Sequence, residues 1–152
     1  MILYRLTLAK YVDNAFSGEG SRRVGGRWTP AGYPAVYTAR SIALTVLETL
    51  VHVDSAIMPK HLVIRVDVPE STNITSFTTR ELPNDWRETP APTALQQIGR
   101  DWLDAGESAL LQIPSVVVPQ ENNVIINPLH PDFKKLTIGQ PDSFSIDARL
   151  LE

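Results

Sequence analysis

Twelve prolines are distributed along the 152 residues of the chain, and they limit the length of any regular element. Proline fixes its own φ angle and lacks a backbone N–H, so it interrupts helices and central strands. The distribution therefore favours many short elements over long helices. A chain of this length forms one ordinary domain with a core of its own, so we expect a single domain over residues 1–152. The sequence has no cysteine, which excludes disulfides and thiolate chemistry.

The pattern of apolar residues predicts a mixed α+β domain. Helical spacing predicts helices over residues 41–53, 93–106 and 130–136, and polar or proline-rich composition predicts loops over 9–27 and 81–92. Strands and helices do not alternate regularly, which indicates central antiparallel or mixed sheets with a few helices instead of a doubly wound parallel sheet. Apolar runs predict strands over residues 2–6, 34–39, 61–68, 72–77, 109–113, 115–118, 123–127 and 143–150.

The helix over residues 41–53 places a carboxylate at the edge of its apolar face. Ser41 is a typical N-cap residue, because its hydroxyl accepts a hydrogen bond from the first turn. At 100° per residue, Glu48 lies about 40° beyond Leu44, the nearest edge of an apolar arc. We therefore expect Glu48 on the border between the core and the solvated back of the helix, where it can line a cleft. The arc comprises Ile42, Ala43, Leu44, Val46, Leu47, Leu50 and Val51.

A glycine pair followed by an arginine and a tryptophan precedes this helix. Gly25 and Gly26 allow a tight bend or a close approach to a ligand, and the two side chains that follow suit an anion and a flat ring. Ten residues after Arg27 comes Tyr37 on a predicted strand, and eleven residues later comes Glu48. This order indicates a nucleotide-handling cleft. The competing interpretation is a glycine turn beside a surface arginine, with Tyr37 filling the core.

Charge and hydropathy exclude several classes of function. The net charge of −3 gives no indication of nucleic acid as the main partner. No run of about 18 apolar residues is present, so we predict no membrane span. The first residues lack the charged and apolar regions of a secretory signal, so we expect a cytoplasmic protein. The three histidines lack the spacing of metal ligands, and we predict no metal site.

Ser115 stands in an apolar run between Pro114 and Pro119. A local hydrogen bond of its hydroxyl is the simplest interpretation. No Gly-x-Ser-x-Gly elbow surrounds it, so we do not expect the nucleophile of a hydrolase. The hydroxyl can instead donate a hydrogen bond to a substrate. Further along the chain, Asn127 precedes a proline, which is typical of a turn.

The motifs together resemble the RES domain, a family named after an arginine, a glutamate and a serine that correspond here to Arg27, Glu48 and Ser115. The resemblance covers nearly the whole chain. It departs at Thr29, where many members have asparagine, and over residues 72–92, which match nothing recognisable. The motifs that carry it are Gly25-Gly26-Arg27-Trp28, Gly32-x-Pro34, Tyr37-Thr38-Ala39, Leu47-Glu48, residues 114–119 and Asn127-Pro128-x-His130-Pro131-x-Phe133.

The resemblance implies the toxin of a bacterial type II toxin–antitoxin pair, with a fold similar to that of ADP-ribosyltransferases. Such toxins destroy NAD+ by cleaving its nicotinamide–ribose bond with water or phosphate as acceptor, and a few modify proteins. NAD+ is then the substrate, and no cofactor is expected. The implied partner is an antitoxin of the Xre helix-turn-helix kind, in a complex with a toxin homodimer. We expect no direct contact with nucleic acid or with a membrane.

The implied chemistry assigns a role to each candidate residue. Cleavage passes through an oxocarbenium-like ribosyl cation, which a carboxylate near the ribose stabilises, and this role falls to Glu48. Arg27 is expected to hold the pyrophosphate or the ribose side bidentately, and Ser115 to bond the nicotinamide ribose or amide. Further substrate contacts are expected from Tyr37, which would stack on nicotinamide, and from Trp28, Asn127 and, for a phosphate, Arg5.

Three other interpretations stay open at this point. A protein ADP-ribosyltransferase would use the same cleft with a side chain of a target protein as acceptor. A nucleotide-binding or partner-binding module would have lost its chemistry, although Arg27, Glu48 and Ser115 are all retained. A globular domain with a structural ion pair between Arg27 and Glu48 would lose stability, and not activity, when Glu48 is replaced by alanine.

Overall fold

One mixed sheet organises the computed structural model, which describes residues 1–53 and 59–151. The strands are β1 (Ile2–Leu8), β2 (Val36–Ala39), β3 (His61–Asp67), β4 (Ile74–Ser76), β5 (Leu110–Pro114), β6 (Asn122–Ile126), β7 (Thr137–Ile138) and β8 (Asp142–Phe144). They lie in the order β4-β5-β6-β2-β1-β3-β7, and β8 also pairs with β3. β4 and β5 run parallel, and the other pairs are antiparallel.

Three α-helices join these strands within the described residues: α1 (Glu19–Val24), α2 (Ile42–Leu50) and α3 (Thr93–Ala105). Short 3-10 helices cover Ala9–Asn14, Thr79–Glu81, Pro131–Lys135 and Ala148–Leu151. Among the same residues, no helix has the length and apolar character needed to span a lipid bilayer. The predicted α+β class, with a central mixed sheet and a few helices, is confirmed.

The strand predicted over residues 115–118 is wrong, because these residues form a turn. The Ser115 hydroxyl accepts hydrogen bonds from the backbone N–H groups of Val117 and Val118, at 3.1 and 3.0 Å. A serine side chain that bonds to backbone N–H groups two and three residues further on competes with strand pairing. The chain therefore curls directly after β5 instead of continuing into another strand.

The strand predicted over residues 143–150 is also wrong for most of its length. Pairing with β3 ends at Phe144. Beyond it, the Asp147 carboxylate accepts a hydrogen bond from the backbone N–H of Arg149 at 2.9 Å, and the chain turns into a 3-10 helix. Local bonds again replace the ladder that the alternating pattern predicts.

α2 begins as predicted, since the Ser41 hydroxyl accepts a hydrogen bond from the backbone N–H of Leu44 at 3.0 Å. The predicted apolar arc is wrong, because Leu47 and Val51 are 38% and 59% exposed, whereas the buried residues of the helix are Leu44, Thr45 and Val46. The helix contacts β1 and β2, and the face that it buries is centred near Thr45, about 160° from Leu47. Glu48 is half-buried, and around the helix it lies between the buried residues Leu44 and Thr45.

The two faces of the sheet carry separate apolar clusters. Side chains alternate along a strand, so Leu110, Val124 and Ile126 belong to one cluster, and Leu111 and Ile125 belong to the other. Residues of α3 complete the second cluster. This second face is the one that carries the candidate site.

Strand register brings an aromatic and a polar side chain together on the second face. Tyr37 pairs with Ile125, and Asn123 pairs with Ala39 on β2 and with Ile113 on β5. Tyr37 and Asn123 are thus diagonal neighbours on adjacent strands, about 7–8 Å apart.

α3 supports the loop of the glycine pair at very short range. A Cβ atom at Gly99 would lie 1.7 Å from the carbonyl oxygen of Trp28, so this helix position accepts only glycine. Three residues earlier, Gln96 donates a hydrogen bond from Nε2 to the carbonyl oxygen of Gly26 at 2.9 Å. The backbone of residues 26–28 therefore rests directly on the helix.

We expect Gly99→Ala to lower the free energy of unfolding by about 3 kcal/mol, because the added methyl group forces the helix and the loop apart. Urea denaturation of the two proteins measures the difference. Gly20→Ala is the matched control, since Gly20 also lies in a helix and a Cβ atom there meets nothing within 4 Å. The control should leave stability unchanged or raise it by up to about 1 kcal/mol. Equal effects of the two substitutions would contradict the close contact.

Candidate active site

The Glu48 carboxylate is held through one of its two oxygens. Its Oε1 atom accepts a hydrogen bond from the Ser115 hydroxyl at 2.6 Å and another from Asn123 Nδ2 at 2.6 Å. Within the described residues, Oε2 accepts no hydrogen bond. Two donors on a single oxygen fix the orientation of the carboxylate and leave the second oxygen available to a ligand.

Ser115 is fully buried, and its hydroxyl has no bonding capacity left. The hydroxyl donates to Glu48 and accepts from the backbone N–H groups of Val117 and Val118. One donor and two acceptor sites are all that a hydroxyl has. It therefore has no hydrogen to offer the ribose or amide of a substrate, the contact expected from the sequence, and in this structure it orients the carboxylate.

Asn123 is a residue that the sequence analysis missed. Its side chain is 9% exposed and lies on the core face of β6, where an apolar residue is the rule. The signal in the sequence was a polar residue at a core position of the strand, because side chains two residues apart share a face and Ile125 belongs to the second apolar cluster. Recognising its contact with Glu48 also required knowledge of where α2 packs.

Asn127 lies at the other end of the same strand. Its Oδ1 atom accepts a hydrogen bond from the backbone N–H of Leu129 at 3.0 Å, and its own N–H donates to the carbonyl of Ala109 at 2.8 Å. Four residues separate it from Asn123, about 13 Å along a strand. The structure thus gives Asn127 the turn predicted by the following proline and places it away from Glu48.

Arg27 binds a neighbouring loop of the chain. Its Nη1 atom donates to the carbonyl oxygens of Trp86 and Glu88 at 3.2 and 2.9 Å, and Nη2 donates to Thr89 Oγ1 at 3.3 Å. No ion pair within 4.0 Å joins Arg27 to Glu48, although both residues are among those that the structure describes. The alternative of a structural ion pair between these two side chains is therefore wrong.

A second arginine, Arg87, lies between the residues that Arg27 binds. Its Nε atom donates to the carbonyl oxygen of Val116 at 3.1 Å, and the residue is exposed. The contact joins the loop held by Arg27 to the turn that begins at Ser115. Sequence reasoning missed Arg87 because residues 72–92 carry no recognisable motif.

The Tyr37 hydroxyl anchors the loop that follows the glycine pair. It accepts a hydrogen bond from the backbone N–H of Trp28 at 3.3 Å and shares a second with Thr29 Oγ1 at 2.7 Å. Burial raises the pKa of Tyr37, so the hydroxyl stays protonated and keeps a hydrogen to donate. The ring is half-buried, and it lies one diagonal step from Asn123 on the same face.

Gly26 permits this anchor. A Cβ atom at Gly26 would lie 2.6 Å from the Tyr37 hydroxyl oxygen, so a side chain there would displace the ring. Thr29, fully buried, continues the chain of hydrogen bonds to the Ser21 hydroxyl at 3.0 Å. The position where many family members were expected to have asparagine is thus occupied by a hydroxyl that links Tyr37 to α1.

Trp28 lies in the core and not on an open cleft wall. Its side chain is 3% exposed and packs against Trp86, with ring centroids 6.4 Å apart and planes tilted by 42°. Both rings belong to the second apolar cluster. The stacking contact with a substrate that the sequence suggested for Trp28 has no free ring face in this structure.

Arg5 lies on β1 and contacts the backbone of Tyr37 on the neighbouring strand β2. Its Nη1 atom donates to the carbonyl oxygen of Tyr37 at 2.9 Å, while its buried Nε atom has no partner among the described residues. Burial lowers the pKa of Arg5 to about 10. The phosphate contact expected for Arg5 stays a prediction.

Comparison with known proteins assigns the family. The family model described as "RES domain" matches residues 2–147. This chain belongs to the RES domain family. A protein named "Toxin Res" from Photorhabdus laumondii subsp. laumondii is 44% identical to this RES domain over 155 residues, which cover 100% of this chain and 98% of the relative. A "Prs ADP-ribosylating toxin" from Sphingobium sp. is 35% identical over 144 residues, which cover 93% and 89% of the two chains.

The fold of this RES domain also occurs in a solved structure. The crystal structure of the M. tuberculosis MbcT–MbcA toxin–antitoxin complex contains a chain that matches it with a TM-score of 0.79 and 22% identity. The match covers 95% of this chain and 84% of that chain. The expected resemblance to the RES domain, stated from the motifs, is confirmed by the family model and by the relatives of similar length.

We expect Tyr37→Phe to lower the free energy of unfolding by about 1–2 kcal/mol, because it leaves the Trp28 N–H and the Thr29 hydroxyl without their buried partner. Urea denaturation measures the loss. Tyr33→Phe is the matched control, since the Tyr33 hydroxyl donates to Asp104 at an exposed site and its removal should change stability by less than about 0.5 kcal/mol. A loss no larger than that of the control would contradict the anchoring role.

Proposed function

We propose that this RES domain is the toxin of a toxin–antitoxin system and that it cleaves the nicotinamide–ribose bond of NAD+. The toxin role is supported by the full-length relatives that bear the name Toxin Res. The observation that carries the enzymatic role is the state of Glu48. Its Oε1 atom is fixed by two donors, while Oε2 has no partner in the described part of the chain.

The chemistry of the bond matches what such a carboxylate can do. Nicotinamide leaves from NAD+ as a neutral molecule because it carries its positive charge beforehand, so the enzyme needs no strong acid. Charge develops instead on the ribose, which becomes an oxocarbenium-like cation. A pre-oriented carboxylate stabilises that cation without having to reorganise, and its free oxygen can accept a hydrogen bond from a ribose hydroxyl.

The arginines beside the site are suited to the anionic part of the same substrate. Arg27 and Arg87 are attached to one short loop, and Arg87 also contacts the turn of Ser115. Guanidinium groups bind phosphate oxygens in a planar, bidentate manner. We assign the pyrophosphate of NAD+ to these two residues, and the stacking contact with nicotinamide to the half-buried ring of Tyr37.

A second candidate activity is ADP-ribosyl transfer to a protein. The relative named Prs ADP-ribosylating toxin favours it, and the same cleavage step precedes the transfer. Only the acceptor differs, since a side chain of the target would attack the ribose in place of water or phosphate. Residues that bind the donor would then serve the same roles.

The toxin role also entails a partner, because uncontrolled loss of NAD+ would harm the producing cell. The structural neighbour was solved as a toxin–antitoxin complex, which supports an antitoxin for this chain as well. We propose an antitoxin of the Xre helix-turn-helix kind that binds a toxin homodimer in the cytoplasm.

The proposed activity is tested on protein purified free of any antitoxin. We expect it to release nicotinamide from NAD+, with ADP-ribose as the second product in water and ADP-ribose 1″-phosphate when phosphate is the acceptor. NMR of the mixture with and without phosphate identifies the products. A third reaction with bacterial lysate proteins, read by mass spectrometry, detects transfer of ADP-ribose to a protein.

Glu48→Gln should lower the rate of NAD+ consumption about 100-fold or more, because the amide keeps the shape of the carboxylate and removes its charge. Glu70→Gln, at an exposed position, is the matched control and should retain the full rate. Both variants are first compared by circular dichroism. No loss of NAD+ with the folded wild-type protein, or full activity of Glu48→Gln, would contradict the proposed function.

A further inference from the structure

Asn123 has one bonded and one unbonded end. Its side chain is 9% exposed, and Nδ2 donates to Glu48 Oε1 at 2.6 Å. Its Oδ1 atom is buried as well but accepts no hydrogen bond from the described residues. A buried carbonyl oxygen without a donor costs free energy, so native proteins rarely retain one without a use for it.

The orientation of this amide follows from its neighbour. An ionised carboxylate only accepts hydrogen bonds, so the end of Asn123 that faces Glu48 must be the NH2 group. Oδ1 therefore points away from Glu48 Oε1. The strand register places the side chain on the same face as Tyr37, the ring to which we assign nicotinamide.

We propose that the two ends of the Asn123 amide have separate roles. Through Nδ2 it is a positioning residue for Glu48, and through Oδ1 it accepts a hydrogen bond from a hydroxyl of the nicotinamide ribose. The second part rests on the proposed function, because it takes NAD+ as the ligand. A ribose offers two adjacent hydroxyls, and Glu48 Oε2 and Asn123 Oδ1 are two unbonded acceptors at the same site.

Two substitutions at Asn123 separate the two contacts. Asn123→Asp keeps an oxygen at the Oδ1 position and replaces the amide donor with a second carboxyl group, which competes with Glu48 for a proton because the two cannot both be ionised at this distance. We expect kcat for NAD+ cleavage to fall about 10- to 100-fold, the usual effect of losing a group that orients a functional side chain, with KM within about threefold of wild type. Asn123→Ala removes both contacts, so kcat should fall and KM should rise about fivefold to tenfold.

Asn122 supplies the matched control. It is the preceding residue of β6, it pairs with Pro114, and its side chain points to the opposite face of the sheet. Asn122→Asp and Asn122→Ala make the same chemical changes one residue away and should leave kcat and KM within about twofold. Equal effects at the two positions, or wild-type kinetics of Asn123→Asp, would overturn the proposal.

A measurement without substrate distinguishes failure of this inference from failure of the proposed function. If the wild-type protein cleaves no NAD+, this result contradicts both the proposed function and the ribose contact. The positioning contact is then tested by the shift in urea midpoint that Glu48→Gln causes. That shift should be smaller in an Asn123→Ala background than in wild type or in Asn122→Ala. The same shift in all three backgrounds would overturn the contact.

Discussion

A single carboxylate oxygen connects α2 to two neighbouring segments of the sheet at the candidate active site. Glu48 Oε1 receives one hydrogen bond from Ser115, directly after β5, and one from Asn123 on β6, while Glu48 itself belongs to α2. Helix and sheet are thereby joined at the point where catalysis is proposed. The arrangement uses up Oε1 and the Ser115 hydroxyl and leaves Oε2 and the carbonyl oxygen of Asn123, which are acceptors suited to hydroxyl groups.

A second set of contacts holds the loop of residues 26–28 against β2 and α3. The Tyr37 hydroxyl, Gly26 and Gly99 bring strand, loop and α3 so close together that neither glycine position has room for a methyl group. Arg27 extends the support to the loop of Trp86, whose ring packs in the core. The name-giving arginine of the family therefore has a structural role as well as the substrate contact proposed for it.

The sequence was sufficient for features that depend on local pattern. The N-cap at Ser41 follows from helix chemistry and is present in the structure. The buried face of α2 did not follow from periodicity, because the helix buries Thr45 and exposes Leu47. The Asn123 contact could not be found in this way, because it depends on how β6 pairs with its neighbours and on where α2 packs. The burial of Trp28 could not be predicted for a related reason, since only tertiary packing brings Trp86 against it.

The most direct test of the account is a crystal structure of the antitoxin-free protein with carba-NAD+, an analogue whose nicotinamide ribose has a methylene group in place of the ring oxygen and cannot form the cation. The account predicts Glu48 still bonded to Ser115 and Asn123, with Oε2 within about 3.2 Å of a hydroxyl of that sugar ring. A bound analogue whose sugar hydroxyls lie out of hydrogen-bond reach of Glu48 would contradict the central claim that this carboxylate acts on the ribose.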